Sequence, residues 1–126
     1  MSQRKARFII VEDDSIMGME MTDIIESFGY EVLDVVDSGA AAIKSVKRYE
    51  PDMILMDIRL KGDMDGIEAS RQIRSFTQKP ITFITGYKDN GTVQRAAMIS
   101  NSVFLTKPVD FDQLRIALQQ NLSNSI

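Results

Sequence analysis

Residues 51–57 read PDMILMD, with four consecutive apolar residues between Asp52 and Asp57. A run this short is too short for an ordinary helix and favours a strand. Pro51 closes the stretch before it, and Asp57 marks the point where the strand ends. Strands without polar alternation are typical of parallel sheets covered by helices on both faces. The segment therefore predicts one strand of such a sheet.

Short apolar runs alternate with amphipathic stretches on both sides of this segment. Further strands are predicted at residues 8–11, 32–36, 80–85 and 103–106. The first helix is expected to be capped by Ser15 and ended by Gly29, and Asp110 is the expected cap of the last helix. Phe76 is expected to face the core because it shares a helical spacing with Ile73. The remaining helices are predicted at residues 40–49, 67–76, 92–100 and 110–122. This order predicts an α/β fold with a doubly wound five-stranded parallel sheet.

The composition excludes several classes of protein. The 126 residues suffice for one domain, which we expect to have a core at about 6–122 and a short flexible tail at 123–126. Hydrophobic residues make up 44% of the chain, so a largely disordered chain is excluded. The absence of cysteine and histidine excludes disulfides, thiolate zinc sites and serine–histidine triads.

The charge balance bears on partners and location. A net charge of −3 argues against direct binding to nucleic acid. The basic residues Arg4, Lys5 and Arg7 are interpreted as a solvated lead-in to the first strand. The sequence has no apolar run of the roughly 20 residues that a membrane span needs, and no signal-peptide core follows Met1. We therefore expect a cytoplasmic protein without membrane contacts.

Polar residues follow four of the predicted strands. Glu12 and Asp13 follow the first, Asp57 the third, Thr85 ends the fourth, and Lys107 follows the fifth. Ligands of open doubly wound sheets collect beyond the carboxyl ends of the strands, so these five residues form a candidate site. Because loops are generally polar, a chance grouping is the alternative interpretation.

Each residue type in this group has a chemical use. Clustered carboxylates favour a hard divalent cation such as Mg²⁺, which prefers oxygen ligands. With its charge screened, Asp57 could act as a nucleophile toward a phosphoryl group. Thr85 and Lys107 could then bind phosphoryl oxygens.

Five motifs in the right order resemble the response-regulator receiver domains of bacteria and archaea. The resemblance covers about residues 6–122. The motifs are VEDD at 11–14, PDMILMDIRL at 51–60, DGIEA at 65–69, FITG at 83–86 and FLTKP at 104–108. The resemblance implies a flavodoxin-like (βα)₅ fold with strand order 2-1-3-4-5.

The resemblance also implies roles for the site residues. Asp57 falls on the phosphoacceptor, which a histidine kinase or a histidine phosphotransfer protein would phosphorylate. Asp13 would bind Mg²⁺ or Mn²⁺ directly together with Asp57, and Glu12 would act largely through water. The third protein ligand would be the backbone carbonyl of Arg59. Lys107, like Thr85, would contact the phosphoryl group.

The resemblance also implies a conformational switch. Thr85 would move toward the phosphoryl group and make room for Phe104, and the face formed by helix 4, strand 5 and helix 5 would then change shape. Phe104 can equally be an ordinary apolar strand residue. The changed face would control a downstream protein or an output domain, and homodimerisation through it is left open. The Lys107–Pro108 bond is expected to be cis.

Three features depart from the family pattern. Lys61 stands where most receivers have proline, and the loop is one residue longer before Asp65. Gly86 replaces the commoner alanine after Thr85. Arg59 and Tyr87 occupy variable positions that tune the lifetime of the phosphoryl group in this family.

Three functions are compatible with this fold to different degrees. The first is a phosphorylation-dependent signalling switch that acts as a regulator rather than as an enzyme on other substrates. The second is an interaction module that works without phosphorylation. The third, a metal-dependent phosphohydrolase, needs an acid two residues after the nucleophile, where this chain has Arg59. The chain either acts alone or is part of a longer regulator or hybrid kinase.

Overall fold

The computed structural model describes residues 4–86 and 88–123, in which five strands alternate with five helices. The strands are β1 (Arg7–Val11), β2 (Glu31–Val36), β3 (Met53–Met56), β4 (Ile81–Thr85) and β5 (Ser102–Thr106). The helices are α1 (Ser15–Ser27), α2 (Gly39–Tyr49), α3 (Gly66–Ile73), α4 (Asn90–Ala97) and α5 (Phe111–Ser123). All neighbouring strands are parallel and follow the order β2-β1-β3-β4-β5, which confirms the expected topology.

Two apolar layers lie on opposite faces of the sheet. Alternate residues of β1, β3 and β4, such as Ile9, Ile54 and Phe83, pack with buried residues of α2, α3 and α4. The intervening residues, such as Phe8 and Leu55, pack with α1 and α5. Each fully buried side chain of this size contributes about 1.5–3 kcal/mol relative to exposure. The central strands are therefore fixed, and the loops at their carboxyl ends start from rigid positions.

The start of α1 differs from the prediction by one residue. The N-cap is Asp14, whose Oδ1 accepts hydrogen bonds from the N–H groups of Ile16 (3.0 Å) and Met17 (3.1 Å). Ser15 is the first helical residue instead. The end of α1 was predicted correctly, because Gly29 follows the C-cap residue Phe28 with a φ of +93°, a conformation that glycine adopts without strain.

The third helix is shorter than predicted. α3 ends at Ile73, and Ser75 and Phe76 continue in a tight turn whose N–H groups donate to the carbonyls of Gln72 and Ile73. This turn carries Phe76 out of the core, so the expectation that Phe76 is buried was wrong: 40% of the residue is exposed. Its ring lies 5.1 Å from the Nζ of Lys47 on α2.

The fourth helix begins two residues earlier than predicted and ends three residues earlier. Asp89 is its N-cap and accepts hydrogen bonds from the N–H (3.0 Å) and the hydroxyl (2.8 Å) of Thr92. This cap offsets the poor helix propensity of Asn90 and Gly91. The helix stops at Ala97, and Asn101 takes a left-handed φ of 52° before β5 begins.

The last strand and helix form the border of the sheet. All five residues of β5 are half-buried, as expected for an edge strand between two helices. Asp110 caps α5 as predicted, since its Oδ1 accepts from the N–H of Gln113 at 3.0 Å. Ser123 is the last residue of α5 and not the start of a loose tail, whereas residues 124–126 and Tyr87 lie outside the described residues. Across the part of the chain that the structure describes, no helix has both the length and the apolar character to cross a membrane.

Candidate functional site

Three carboxylates meet at the carboxyl edge of the sheet. Glu12 and Asp13 directly follow β1, and Asp57 directly follows β3, which is paired with β1. One oxygen atom of each residue lies within 4.8 Å of the others. The side chains of Glu12 and Asp57 are only 9% exposed. The structure thus brings together the three acidic residues that the sequence predicted to converge.

Lys107 places a positive charge between two of these carboxylates. Its Nζ donates to Asp57 Oδ2 at 2.8 Å and to Glu12 Oε1 at 2.9 Å. The backbone N–H of Lys107 donates to the carbonyl of Thr85 at 2.9 Å, which continues the β4–β5 pairing and aligns the lysine with the site. Met17 of α1 flanks the ammonium, with its Sδ 3.9 Å from Nζ. The peptide bond between Lys107 and Pro108 is cis.

The electrostatics of the site follow from partial burial and close contact. Burial raises the pKa of Glu12, the charge of Asp57 adds to this rise, and the hydrogen bonds from Lys107 and from the Asp14 N–H oppose it. Burial acts to lower the pKa of Lys107, but its hydrogen bonds to Asp57 and Glu12 outweigh burial and leave the pKa raised. The ammonium therefore stays charged at neutral pH.

The donor set fits a hard divalent cation. All three acidic residues offer carboxylate oxygens, the ligand type that Mg²⁺ and Mn²⁺ prefer. One ammonium faces three carboxylates, so two negative charges remain uncompensated when all three are ionised. Each carboxylate oxygen has two lone pairs, so the oxygens of Asp57 that already accept hydrogen bonds can still bind a cation. Arg59, the predicted carbonyl ligand, lies two residues beyond Asp57 in an exposed part of the loop.

Thr85 and Phe104 occupy different positions relative to the carboxylates. Thr85 is the last residue of β4, only 1% exposed, and lies in register with Thr106 of β5 at the same edge of the sheet. Phe104 lies opposite Phe83 within the sheet, is half-buried, and packs against the α2–α4 layer. Thr85 thus belongs to the site edge, while Phe104 lies further along the strand.

Gly66 is a residue of the site whose packing the sequence did not reveal. A Cβ atom at this position would lie 2.0 Å from the carbonyl oxygen of Asp57 and 2.9 Å from Met56 Cγ. The N–H of Gly66 also donates to the carbonyl of Ile58 at 2.7 Å. The start of α3 is therefore seated directly on the backbone of Asp57. The only signal in the sequence was a glycine at the entry of the helix that follows the loop.

The loop from Ile58 to Asp65, called here the β3–α3 loop, is attached at its far side to the loop after β2. Lys61 pairs with Ser38 in an isolated parallel bridge, and its N–H donates to the carbonyl of Asp37 at 3.4 Å. The Nζ of Lys61 lies 3.4 Å from Asp37 Oδ2. Lys61 thus supplies a backbone donor that a proline at this position would lack.

Two grooves border α5, and the second of them reaches the site edge. One, of about 650 Å³, lies between α4, β5 and α5 and includes Phe104 and Val93 in its lining. The other, of about 410 Å³, lies between α1 and α5 and reaches Lys107 and Pro108. Both grooves therefore adjoin residues that belong to the site or to the predicted switch.

Comparison with known proteins agrees with this geometry. A family model of the response regulator receiver domain matches residues 8–119. The chain is 30% identical over 118 residues to the chemotaxis protein CheY of Bacillus subtilis, covering 93% of this chain and 98% of that protein. It is 27% identical over 117 residues to the transcriptional regulatory protein PdtaR of Mycobacterium tuberculosis, covering 93% of this chain but only 57% of PdtaR.

A solved structure gives the same result. The signal receiver domain of a modulated diguanylate cyclase from Desulfovibrio desulfuricans G20 superposes with a TM-score of 0.88 at 33% identity, and the match covers 96% of each chain. The region that the family model matches contains β2 to β5, all of β1 except Arg7, and the residues at the carboxyl ends of the strands. The chain belongs to the response regulator receiver domain family.

Proposed function

We propose that this protein is a phosphoacceptor switch in which Asp57 takes a phosphoryl group from a phosphohistidine of a partner histidine kinase or phosphotransfer protein. The observation that carries this proposal is the contact of Asp57 with Lys107 at 2.8 Å beside the carboxylates of Glu12 and Asp13. Receiver domains are signalling regulators, and the proposed chemistry modifies only the protein itself.

The two oxygens of the Asp57 carboxylate differ in their surroundings. The N–H of Ile58 donates to Oδ1 at 2.7 Å, while Oδ2 faces the ammonium of Lys107. Oδ2 would attack the phosphorus and form the new P–O bond, while the P–N bond of the donor breaks and its electron pair stays on the imidazole nitrogen. Oδ1 would remain bound to the backbone, so the carboxylate keeps its orientation through the transfer.

The other site residues would hold the incoming phosphoryl group. Bound by Asp13, Asp57 and the Arg59 carbonyl, with Glu12 nearby, Mg²⁺ or Mn²⁺ would supply charge neutralisation at the site. The Lys107 ammonium would contact one phosphoryl oxygen, and Thr85 would bind another through its hydroxyl. Positioning and charge stabilisation are the main requirements of phosphoryl transfer, and these groups can meet both.

The conformational change at the site would be transmitted through β5. Thr85 and Phe104 lie on neighbouring strands, and Phe104 lines the groove between α4, β5 and α5. A shift of Thr85 toward the phosphoryl group would allow the Phe104 ring to move and reshape this groove. A downstream protein, an attached output domain or a second copy of the chain would respond to the changed face.

Intact mass spectrometry tests the proposal. The protein is incubated with acetyl phosphate and Mg²⁺, beside the variants Asp57→Asn and Asp52→Asn. We expect one phosphoryl adduct on the wild type and on Asp52→Asn, because Asp52 precedes β3 at the opposite end of the strand. Asp57→Asn, and wild type with Mg²⁺ removed by chelation, should carry none. Loss of the adduct in Asp52→Asn alone would contradict the assignment.

A negative result with acetyl phosphate is followed by binding of beryllofluoride, which mimics the phosphoryl group. Failure to form an adduct and failure to bind beryllofluoride would together refute the phosphoacceptor function. The protein would then be the phosphorylation-independent interaction module that the sequence left as the alternative.

A further inference from the structure

The end of the β3–α3 loop is fixed to the backbone of the proposed phosphoacceptor. Asp65, the last residue of the loop, caps α3 by accepting a hydrogen bond from the N–H of Glu68 at 2.8 Å. The next residue, Gly66, is bonded to the carbonyl of Ile58 and packed on the carbonyl of Asp57. Any movement of the Asp57 backbone therefore acts directly on the position of Asp65.

The carboxylate of Asp65 also reaches across to α4. Arg95 of α4 donates from Nη1 to Asp65 Oδ2 at 2.9 Å and from Nη2 to Asp65 Oδ1 at 3.3 Å. This two-point contact joins the β3–α3 loop to a helix that comes 25 or more residues later in the chain. Paired contacts of this kind are geometrically specific, because both hydrogen bonds need the guanidinium and carboxylate planes to stay aligned.

The buried contacts of α4 are concentrated near its carboxyl end. Of its eight described residues, Ala96 alone is buried, and Met98 immediately after the helix is 83% exposed. Helices with little buried apolar surface come from the low end of the local stability range. Ile99, just after the helix, is buried in the core and fixes its carboxyl end. The two-point ion pair of Arg95 therefore adds a contact with the β3–α3 loop to a helix that is otherwise anchored mainly at that end.

We propose that the Asp65–Arg95 ion pair is a latch that holds α4 in the position of the unphosphorylated protein. The proposal rests on the phosphoacceptor function proposed above, because it assigns the latch to one of the two states of Asp57. A displacement of α4 relative to the β3–α3 loop would break the alignment of the pair, so the pair favours the resting position. Removing it shifts the protein toward the phosphorylated conformation.

The coupling has a definite sign and size. A ligand that binds one conformation better gains affinity when a contact specific to the other conformation is removed. Exposed ion pairs contribute about 0.2–1 kcal/mol, and the upper part of this range corresponds to about a two- to fivefold change in affinity. Loss of the latch should therefore tighten beryllofluoride binding by about two- to fivefold.

The variants isolate the pair from other roles of its members. Arg95→Gln removes the charged partner on α4. Asp65→Asn removes the charge on the loop and keeps an efficient helix cap. The matched control is Arg71→Gln, because Arg71 forms an even shorter pair with Glu68 (2.6 Å against 2.9 Å) on an exposed surface but stays within α3.

Two measurements on the full chain test the latch. Without ligand, amide hydrogen exchange of residues 90–97 should rise about two- to fivefold in Arg95→Gln and stay unchanged in Arg71→Gln. With Mg²⁺ and beryllofluoride, calorimetric titration should give the tighter binding expected for Arg95→Gln and for Asp65→Asn. The double variant should add nothing further, since both changes break the same pair.

The outcomes separate the latch from the function on which it rests. If wild type neither forms the phosphoryl adduct nor binds beryllofluoride, the phosphoacceptor function fails, whereas the exchange experiment still tests whether the pair holds α4. Unchanged exchange in Arg95→Gln overturns the latch. Unchanged or weaker beryllofluoride binding in Arg95→Gln, or additive effects in the double variant, overturns its assignment to the resting state.

Discussion

At the scale of single residues, Asp57 is held from three sides. The N–H of Ile58 and the ammonium of Lys107 each bind one carboxylate oxygen, at 2.7 and 2.8 Å. Gly66 packs on its main-chain carbonyl. The carboxylate is therefore already oriented, which would reduce the reorganisation that the proposed transfer requires.

Gly66 should tolerate no side chain. In Gly66→Ala the added Cβ would lie 2.0 Å from the Asp57 carbonyl oxygen, a backbone atom that cannot turn away. We expect a loss of about 1–3 kcal/mol in the free energy of unfolding, the usual range for overpacking, measured by urea denaturation. The control is Gly86→Ala, because nothing lies within 4 Å of a Cβ at that exposed position. Equal stability of the two variants would contradict the close contact.

Asp52 should make stability depend on pH. Burial acts to raise its pKa, but the hydrogen bonds from the Arg4 side chain and the Arg7 N–H outweigh burial and lower the pKa. A carboxyl group with a lowered pKa in the folded protein stabilises it above the unfolded pKa of about 3.9, and this contribution is lost as the pH falls through the folded value. Asp52→Asn should thus destabilise the protein at neutral pH, by about 1 kcal/mol.

Chemical denaturation across pH checks this prediction. The difference between wild type and Asp52→Asn should shrink below about pH 4, where the wild-type carboxyl group becomes protonated. The control is Asp112→Asn, since the Asp112 side chain is 79% exposed and pairs with Arg115 one turn away. A difference for Asp52→Asn that stays constant from neutral to acid pH would refute the role of its charge.

At the scale of elements, the structure differs from the sequence-based prediction at the start of α1, where the cap is Asp14 and not Ser15. Asp14→Ala should lower the free energy of unfolding by about 1 kcal/mol, because it removes the acceptor for the N–H groups of Ile16 and Met17. Ser15→Ala should change it little, since Ser15 is exposed and already helical. Thermal unfolding of both variants checks this ranking. A larger loss of stability in Ser15→Ala would show that Ser15 is the cap, as the sequence predicted.

The elements were predictable where local signals and burial agree. Short apolar runs located all five strands to within one residue. The central strands β1, β3 and β4 are almost wholly buried, and the edge strands β2 and β5 are mostly half-buried. Helix ends were less predictable, as Phe76 shows. Its spacing fits the core face of α3, but the turn after Ile73 depends on contacts that the sequence pattern does not contain. The entry of α4 was similarly obscured, because Asp89 offsets the weak propensity of Asn90 and Gly91.

At the scale of the whole molecule, the parallel sheet explains why the acidic residues of the site could be predicted. Strands that run in one direction bring their carboxyl ends to one edge, so Glu12, Asp13 and Asp57 converge without any knowledge of side-chain positions. Contacts that depend on the reach of long side chains could not be predicted. The bridge of Lys107 to two carboxylates and the pair of Arg95 with Asp65 are of this kind.

In the same architecture, some elements stabilise the fold and others are free to take part in the proposed signalling response. Two apolar layers hold β1, β3 and β4 in place, while the edge strand β5 and the lightly packed α4 border the groove beside Phe104. Rigid strands can thus hold the proposed acceptor, and less firmly held elements can respond to it. This division is the physical basis of the switch proposed for the protein.

Borohydride trapping of Asp57 tests the central claim most directly. Borohydride reduces an aspartyl phosphate to homoserine and leaves free carboxylates unchanged, so peptide mapping after phosphorylation identifies the acceptor. We predict homoserine at position 57 only after incubation with Mg²⁺ and a phosphodonor. Homoserine at the position of Asp13 or of any other aspartate, or an intact Asp57 in protein that carries the phosphoryl adduct, would contradict the account.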